Sequence, residues 1–186
     1  MGRPAKFTED DFLDAALEEL AEHGTVSIAA IAGRLGAPNG SVYHRFSSRD
    51  RLLATMWIRS IRRFQHGFLA ALARDPIDAA LHSLRWSREN PTEARALLLY
   101  RREDLIARWP DELGPGLESL NTAVQSALAT YAVTRYGPDD PDAERRVVLA
   151  LVDIPRAALL RDLRAGSPPA PSLDEMVTAA ATAVLG

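Results

Sequence analysis

The sequence predicts an all-α protein with a small N-terminal domain and a larger helical body. Apolar residues recur at steps of three and four along most of the 186 residues, which is the period of a half-buried helix. No segment alternates apolar and polar residues as a half-buried strand would. Glycine and proline residues separate the apolar segments and divide the chain into about nine helices.

Three short helices are predicted in the N-terminal domain, residues 1–47. The first begins after Thr8, whose side chain can form an approximate capping box with the acid three residues later. The second begins after Ser27 and ends at Gly36, where a left-handed backbone suits glycine. The third is shorter and covers residues 38–45.

A long helix is predicted from Ser48 to Arg74, because its apolar residues recur at helical steps. Two pairs that end in proline then interrupt the chain, at residues 75–76 and 90–91. The fifth helix lies between the two pairs, and the sixth helix begins at the second pair. A loop rich in glycine and proline, residues 109–116, separates the sixth helix from the seventh.

Glycine, proline and capping residues mark the ends of the last three helices. The seventh ends at Tyr136, before a Gly-Pro pair. The eighth begins at Asp140 and contains Pro155, at which we expect a kink. A proline-rich connector, residues 166–171, precedes the ninth helix, and residues 172–175 have the pattern of a full capping box for it.

Composition excludes several classes of protein. Cysteine is absent, which excludes disulfides and thiolate metal sites. The longest apolar run, residues 147–152, is too short to cross a membrane, and residues 1–11 lack the apolar core of a secretory signal. We therefore expect a cytoplasmic protein with a packed core.

Arginine is concentrated in one segment. The whole chain has a net charge of −3, yet residues 33–63 hold seven arginines against one acid, Asp50, so this segment carries +6 and the rest −9. This pattern is typical of a protein that contacts a polyanion with one face, although a solvated helix surface is the alternative. The arginines are Arg34, Arg45, Arg49, Arg51, Arg59, Arg62 and Arg63.

The second and third helices have the spacing of a helix-turn-helix. Two closely crossing helices require a small residue in the first, a glycine in the turn and an apolar residue in the second. Ala32, Gly36 and Val42 meet these requirements, and an ordinary helical hairpin is the alternative. Residues suited to a DNA groove occupy the other side of the third helix: Asn39, Gly40, Ser41, Tyr43 and His44.

This segment resembles the DNA-binding domain of the TetR family of transcriptional regulators. The resemblance is carried by residues 27–36, Ser-Ile-Ala-Ala-Ile-Ala-Gly-Arg-Leu-Gly, by residues 40–46, Gly-Ser-Val-Tyr-His-Arg-Phe, and by Arg49. It implies a homodimeric repressor, without catalysis or a cofactor, that leaves an inverted-repeat operator in double-stranded DNA when a small-molecule effector binds. An activator or dual regulator is an alternative that no residue distinguishes.

The resemblance also implies individual DNA contacts. Asn39 and Gly40 fall at base-reading positions, and Pro38 stands where a capping serine is common. A cation in the first turn of a helix opposes the helix dipole, so we expect Arg49 to have a partner outside the fold. Arg3 is assigned either to an adjacent minor groove or to a frayed tail. The expected phosphate contacts are Ser27, Ser41, Tyr43, His44 and Arg49.

The larger domain, residues 48–186, is expected to bind the effector. Small-molecule pockets are mostly apolar with a few polar groups, and the chain offers suitable residues, which a plain core would also use. Arg85 and Arg101 near them suggest an acidic effector. The candidate pocket residues are Phe64, Phe68, His82, Trp86, Tyr100, Trp109 and Tyr131.

The eighth and ninth helices are expected to form the dimer. Residues 147–160 are apolar around more of the helix than one core-facing stripe needs, and the ninth helix is rich in small residues. Two such helices from each subunit would form a four-helix interface, whereas completion of a monomer core is the alternative. The candidate interface residues are Leu151, Ala158, Leu159, Met176, Ala180 and Val184.

Two other patterns give little support to a different function. Residues 10–14 match the Asp-Asp-x-x-Asp metal motif of all-α terpene synthases, but acids are also favoured in the first turn of a helix. The four histidines lack metal-ligand spacing. An all-α enzyme acting on a hydrophobic substrate and a protein-interaction module that has lost DNA binding are the remaining alternatives.

Overall fold

The computed structural model describes residues 7–99 and 119–186, and these residues contain helices but no strand. If the interrupted helix over residues 143–164 is counted once, the described ranges contain nine helices. The all-α prediction is confirmed. Four candidate residues lie outside the described residues, as does the predicted loop at 109–116: Arg3, Tyr100, Arg101 and Trp109.

The first three helices begin and end close to the predicted residues. They are α1 (Glu9–His23), α2 (Ile28–Leu35) and α3 (Asn39–Tyr43). Thr8 and Asp11 form the predicted capping box, and the hydroxyl of Ser27 accepts a hydrogen bond from the backbone N–H of Ala30. Gly36 ends α2 at φ 61°, in the left-handed region that glycine adopts without strain.

The next three helices also follow their capping residues. They are α4 (Arg49–Leu72), α5 (Pro76–Glu89) and α6 (Pro91–Leu99). The side chain of Ser48 caps α4, and the carboxylate of Asp75 caps α5 by accepting hydrogen bonds from two backbone N–H groups. The predictions of a long fourth helix and of helix boundaries at the two proline-containing pairs are confirmed.

The remaining helices are α7 (Thr122–Tyr136), α8 (Ala143–Val148), α9 (Ile154–Arg164) and α10 (Leu173–Leu185). A π-helical turn (Leu149–Asp153) joins α8 to α9. The predicted eighth helix therefore begins at Ala143 rather than at Asp140, whose carboxylate instead accepts a hydrogen bond from the N–H of Asp142. The widened turn lies immediately before the Pro155 region, where proline cannot donate the usual helical hydrogen bond.

The predicted capping box of the last helix is wrong. Ser172 has a helical backbone, at φ −62° and ψ −19°, and its side chain forms no capping bond. The acid at the second position of α10, Asp174, accepts hydrogen bonds from Arg88 on α5 instead. Because Arg88 also donates to the carbonyls of Pro169 and Ala170, it fastens the proline-rich connector to α5.

Two main cores organise the molecule. The second contains residues of α5, α7, α8 and α10. The first contains the buried faces of α1, α2 and α3, and it is completed by Leu52 and Met56 of α4 and by Ala96 of α6. Since α4 and α6 both enter the N-terminal core, a boundary at residues 47 and 48 stays a prediction.

None of the described helices has the length and hydropathy of a membrane span.

Candidate nucleic-acid interface

A backbone hydrogen bond closes the turn between α2 and α3. Ala37 donates its backbone N–H to the carbonyl of Ala32 at 2.8 Å, which closes the end of α2. Ala32 and Val42 are 1% and 0% exposed and belong to the same core, so both helices are buried where they meet. The small residue, the glycine and the apolar residue predicted for a helix-turn-helix all have their expected positions.

The outer face of α3 is open to solvent. Asn39, Gly40, Tyr43 and His44 are exposed, and Ser41 is half-buried. Tyr43 leaves 56% of its surface exposed although it is a large aromatic residue. A row of polar groups and one exposed aromatic ring on a short, firmly held helix is suited to contacts with a groove and its phosphates.

Gly40 has no packing reason to be glycine. A Cβ atom placed on it would have no neighbour within 4 Å, and its φ is not in the left-handed region. Glycine in a helix costs up to about 1 kcal/mol relative to alanine. Its presence on the outer face is therefore consistent with close approach of another molecule at this point.

Arg49 and Ser27 are brought together, although they are distant in sequence. The Nε atom of Arg49 donates to the carbonyl of Val26 at 2.6 Å, so the first residue of α4 lies beside the first turn of α2. This carbonyl and the carboxylate of Asp50 offset part of the unfavourable dipole at Arg49 within the chain, and its contact with a partner outside the fold stays a prediction. The side chain of Arg49 is 45% exposed, and Ser27, the residue after Val26, is exposed as well.

The arginine-rich segment does not form one exposed basic face. Arg34 pairs with three glutamates of α1, and its hydrogen bonds to Glu22 and Glu19 raise the pKa of Arg34. Arg59 pairs with two aspartates of α1, and Arg63 pairs with a glutamate of α6. Much of the +6 charge counted from the sequence is therefore neutralised by contacts that hold helices together.

Arg45 has a role that the sequence did not indicate. Its guanidinium donates hydrogen bonds to the carbonyls of Phe7 and Ser41 and lies 5.2 Å from the ring centroid of Phe12. The residue therefore connects the end of α3 to the start of the described chain. No local pattern marks this contact, since it joins residues that lie far apart in sequence.

Acidic residues of α1 form hydrogen bonds and ion pairs within the chain. Asp11 accepts hydrogen bonds from the backbone N–H and hydroxyl of Thr8, which lower the pKa of Asp11. Asp10 and Asp14 bind Arg59. Glu19, Glu22 and His23 come close together, but both glutamates already bind Arg34. These groups stabilise the fold, and their arrangement does not indicate a metal centre.

Four of the candidate pocket residues lie together in the body. The ring of Phe64 is 5.1 Å from that of His82 and 5.3 Å from that of Trp86, and it stacks with Phe68 at 6.4 Å. Tyr131 is on α7 and packs against the second core, where burial raises its pKa. Arg85, which suggested an acidic effector, forms an ion pair with Asp78 at 3.0 Å.

His82 holds α5 close to α4. Its Nε2 atom is 2.9 Å from the carbonyl oxygen of Phe64, so this nitrogen donates its proton to the carbonyl. Burial lowers the pKa of His82. A Cβ on Gly67 would lie 2.4 Å from the imidazole ring, so this close approach of the two helices requires glycine at position 67.

The candidate dimer residues divide into two groups. Leu151 and Leu159 are 0% and 9% exposed within one chain, so their assignment to an interface is wrong because they fill the core of the body. Met176 is 63% exposed, and Leu149, which belongs to the apolar segment 147–160 predicted to lie in the interface, is 43% exposed. Ala158, Ala180 and Val184 are partly buried.

Comparison with known proteins agrees with this geometry. Residues 12–56 match the model of the bacterial regulatory proteins, tetR family. No curated protein matches the chain in sequence. The matched residues run from α1 into α4, so they include the whole helix-turn-helix.

Solved structures share the fold over nearly the whole chain. A TetR transcription regulator from Haloarcula marismortui ATCC 43049 has 20% identity and a TM-score of 0.70, with 95% of each chain covered. A TetR family transcription regulator from Marinobacter aquaeolei VT8 has 17% identity and a TM-score of 0.68, with 95% of this chain and 94% of that chain covered. The fatty acid degradation regulator FadR from Bacillus halodurans has 16% identity and a TM-score of 0.65, with 99% and 97% covered.

Proposed function

We propose that this chain, whose residues 12–56 match the model of the bacterial regulatory proteins, tetR family, is a homodimeric, effector-responsive repressor. The observation that carries the proposal is the outer face of α3. Asn39, Gly40 and Tyr43 are exposed on a helix that Val42 anchors in the core. Direct contacts of such a helix with base edges would supply sequence specificity, while the neighbouring Ser27 and Arg49 would supply contacts with phosphates.

Two helices offer a route from the body to the DNA-binding domain. The long helix α4 begins at the motif, as expected, but it is not the sole connection, because Ala96 of α6 is fully buried in the first core. Arg59 adds a link from α4 to Asp10 and Asp14 of α1. An effector that moves α4 relative to α6 would therefore change the position of the recognition helix.

A second copy of the chain is proposed to cover the apolar face of α8, the π-helical turn and α10. Leu149 of the π-helical turn and Met176 of α10 are large exposed apolar residues, and α10 packs against the π-helical turn and α9. Burial of this face against its own symmetry mate would present two recognition helices to an inverted repeat. The proposed interface thus uses the exposed residues rather than Leu151 and Leu159.

Binding to duplex DNA over a range of salt concentrations tests the proposal. A protein that neutralises phosphates releases counterions, and the logarithm of its affinity falls steeply with the logarithm of salt concentration. We expect such a dependence for the wild type, and weaker binding with a shallower slope in the Tyr43→Ala, Arg49→Ala double variant. A salt-independent or undetectable interaction in the folded wild type would contradict the proposal. Transcription from a template with the recovered operator distinguishes repression from activation.

A further inference from the structure

The contact between α4 and α6 contains a buried carboxylate. Glu93, in the first turn of α6, is 6% exposed. Among the described residues, its Oε1 atom lies 2.9 Å from Nη1 of Arg63 and 3.4 Å from Oγ of the fully buried Ser60. A carboxylate in such surroundings requires a cation or several hydrogen bonds, because its desolvation is costly.

The two members of this ion pair are buried to very different extents. The side chain of Glu93 is 7% exposed, whereas that of Arg63 is 59% exposed. The guanidinium therefore reaches the carboxylate from the solvent side and is not enclosed with it. Because holding a long exposed side chain in one conformation costs entropy, a second cation arriving from that side can replace it.

An aromatic group on α4 and α5 begins at the residue after Arg63. Phe64 follows Arg63 in the sequence, and its ring contacts those of Trp86 and His82 at centroid distances of 5.3 Å and 5.1 Å. Aromatic rings attract cations and the apolar groups that carry them. His82 adds no positive charge at neutral pH, since burial lowers its pKa. With Arg85 bound to Asp78, the described residues here favour a cation over an anion.

From this geometry we propose that the effector is an organic cation with an aromatic or apolar body, whose charged group replaces the guanidinium of Arg63 on Glu93. The inference rests on the effector-responsive function proposed above. Its consequence for DNA binding follows from the position of Ala96, one helical turn after Glu93 and fully buried in the first core. Exchange of the cation on Glu93 would break the Arg63 link between α4 and α6, the two helices that enter that core.

Three probes of matched shape test the charge preference. Phenethylguanidinium carries the same charged group as Arg63, phenethylurea is its neutral counterpart, and 3-phenylpropionate is an anion of similar size. We expect the purified full-length wild type to bind the guanidinium most tightly in calorimetric titrations. The Glu93→Gln variant should bind it at least about tenfold more weakly, which corresponds to the loss of one charge-assisted hydrogen bond.

The Arg63→Gln variant gives the opposite expectation. It removes the internal competitor at an exposed position, so the affinity for phenethylguanidinium should rise, while the matched control Arg62→Gln on the same helix should leave it unchanged. Wild-type affinity in Glu93→Gln, or no guanidinium binding by Arg63→Gln, would overturn the inference. Tighter binding of 3-phenylpropionate than of the guanidinium would overturn it as well.

Parallel titrations with duplex DNA separate this inference from the proposed function. Phenethylguanidinium should weaken duplex binding by the wild type, and Glu93→Gln should bind duplex DNA but respond less to the probe. If the wild type binds duplex DNA specifically but shows no charge preference among the probes, only the effector inference fails. If the wild type binds the guanidinium but no duplex DNA, the proposed function fails.

Discussion

The Nε atom of Arg49 lies 2.6 Å from the carbonyl oxygen of Val26, which fixes the start of α4 beside the start of α2. The side chain thus has a structural contact through Nε, its Nη1 lies 3.6 Å from Oδ1 of Asp50, and 45% of the side chain is exposed. The same residue can therefore stabilise the N-terminal domain and contact a phosphate. These two roles can be separated by substitution.

Arg49→Ala should weaken binding to all duplex sequences and reduce the salt slope by about 1 for each subunit, since one phosphate contact is lost. Arg49→Lys should keep most of the slope because it keeps the charge. Fluorescence anisotropy at several salt concentrations measures both quantities. Arg145→Ala, at a side chain that is 85% exposed on α8, is the control. A changed preference among operators with an unchanged slope would show that Arg49 reads bases.

Gly40→Ala should stabilise the free protein by a few tenths to about 1 kcal/mol, because alanine is the better helix former and its Cβ enters open space. The same substitution should weaken DNA binding, because the methyl group occupies the surface that approaches the groove. Gly33→Ala is a matched control, since that helical glycine also has no neighbour near its Cβ position. Unimpaired operator binding by Gly40→Ala would exclude close approach at this residue.

The free energy of unfolding should fall as the pH decreases below about 6.5, and His82 should contribute to this fall. Burial lowers the pKa of His82 in the folded protein, so the unfolded chain takes up the proton first and is stabilised by it. His82 contributes fully to the free energy of unfolding at pH values above its pKa in the unfolded chain. This contribution is lost as the pH falls toward its lower pKa in the folded protein. Urea unfolding at pH 7.5 and pH 5.5 measures it. His82→Gln should reduce the difference.

Met176→Glu should convert a dimer into monomers, because it places a charge at the centre of the proposed apolar interface. Val133→Glu is the matched control, since Val133 is 51% exposed but lies on α7, outside that face. Sedimentation velocity measures the oligomeric state, and circular dichroism verifies folding. A folded Met176→Glu variant that still sediments as a dimer would show that the interface lies elsewhere.

Local features of the sequence were sufficient to predict most of the fold. Capping residues such as Thr8 and Ser27, and breaks such as the one before Pro76, act through neighbouring residues, so their effects can be read from the chain itself. The exposed face of α3 can be predicted for the same reason, since one helical turn decides which residues point outward. The capping box at Ser172 failed because Arg88, distant in sequence, binds Asp174 instead.

Contacts between distant segments account for the other errors. Counting arginines could not show that Arg34 and Arg59 are paired with acids of α1. Apolar periodicity could not show which face of the eighth helix fills the core, and so Leu151 was assigned to the interface. The burial of Ala96 in the N-terminal core was equally hidden, because an alanine on an amphipathic helix carries no information about its partner.

Selection of bound duplexes from a random pool is the most direct test of the central claim, that α2 and α3 form a sequence-specific DNA-binding motif. The wild type should enrich one inverted repeat whose half-sites are about one helical turn apart. Asn39→Ala should lose discrimination of about 1 to 3 kcal/mol at particular base pairs within each half-site. Failure of the folded wild type to enrich any sequence, or enrichment that Asn39→Ala leaves unchanged at every position, would contradict the account.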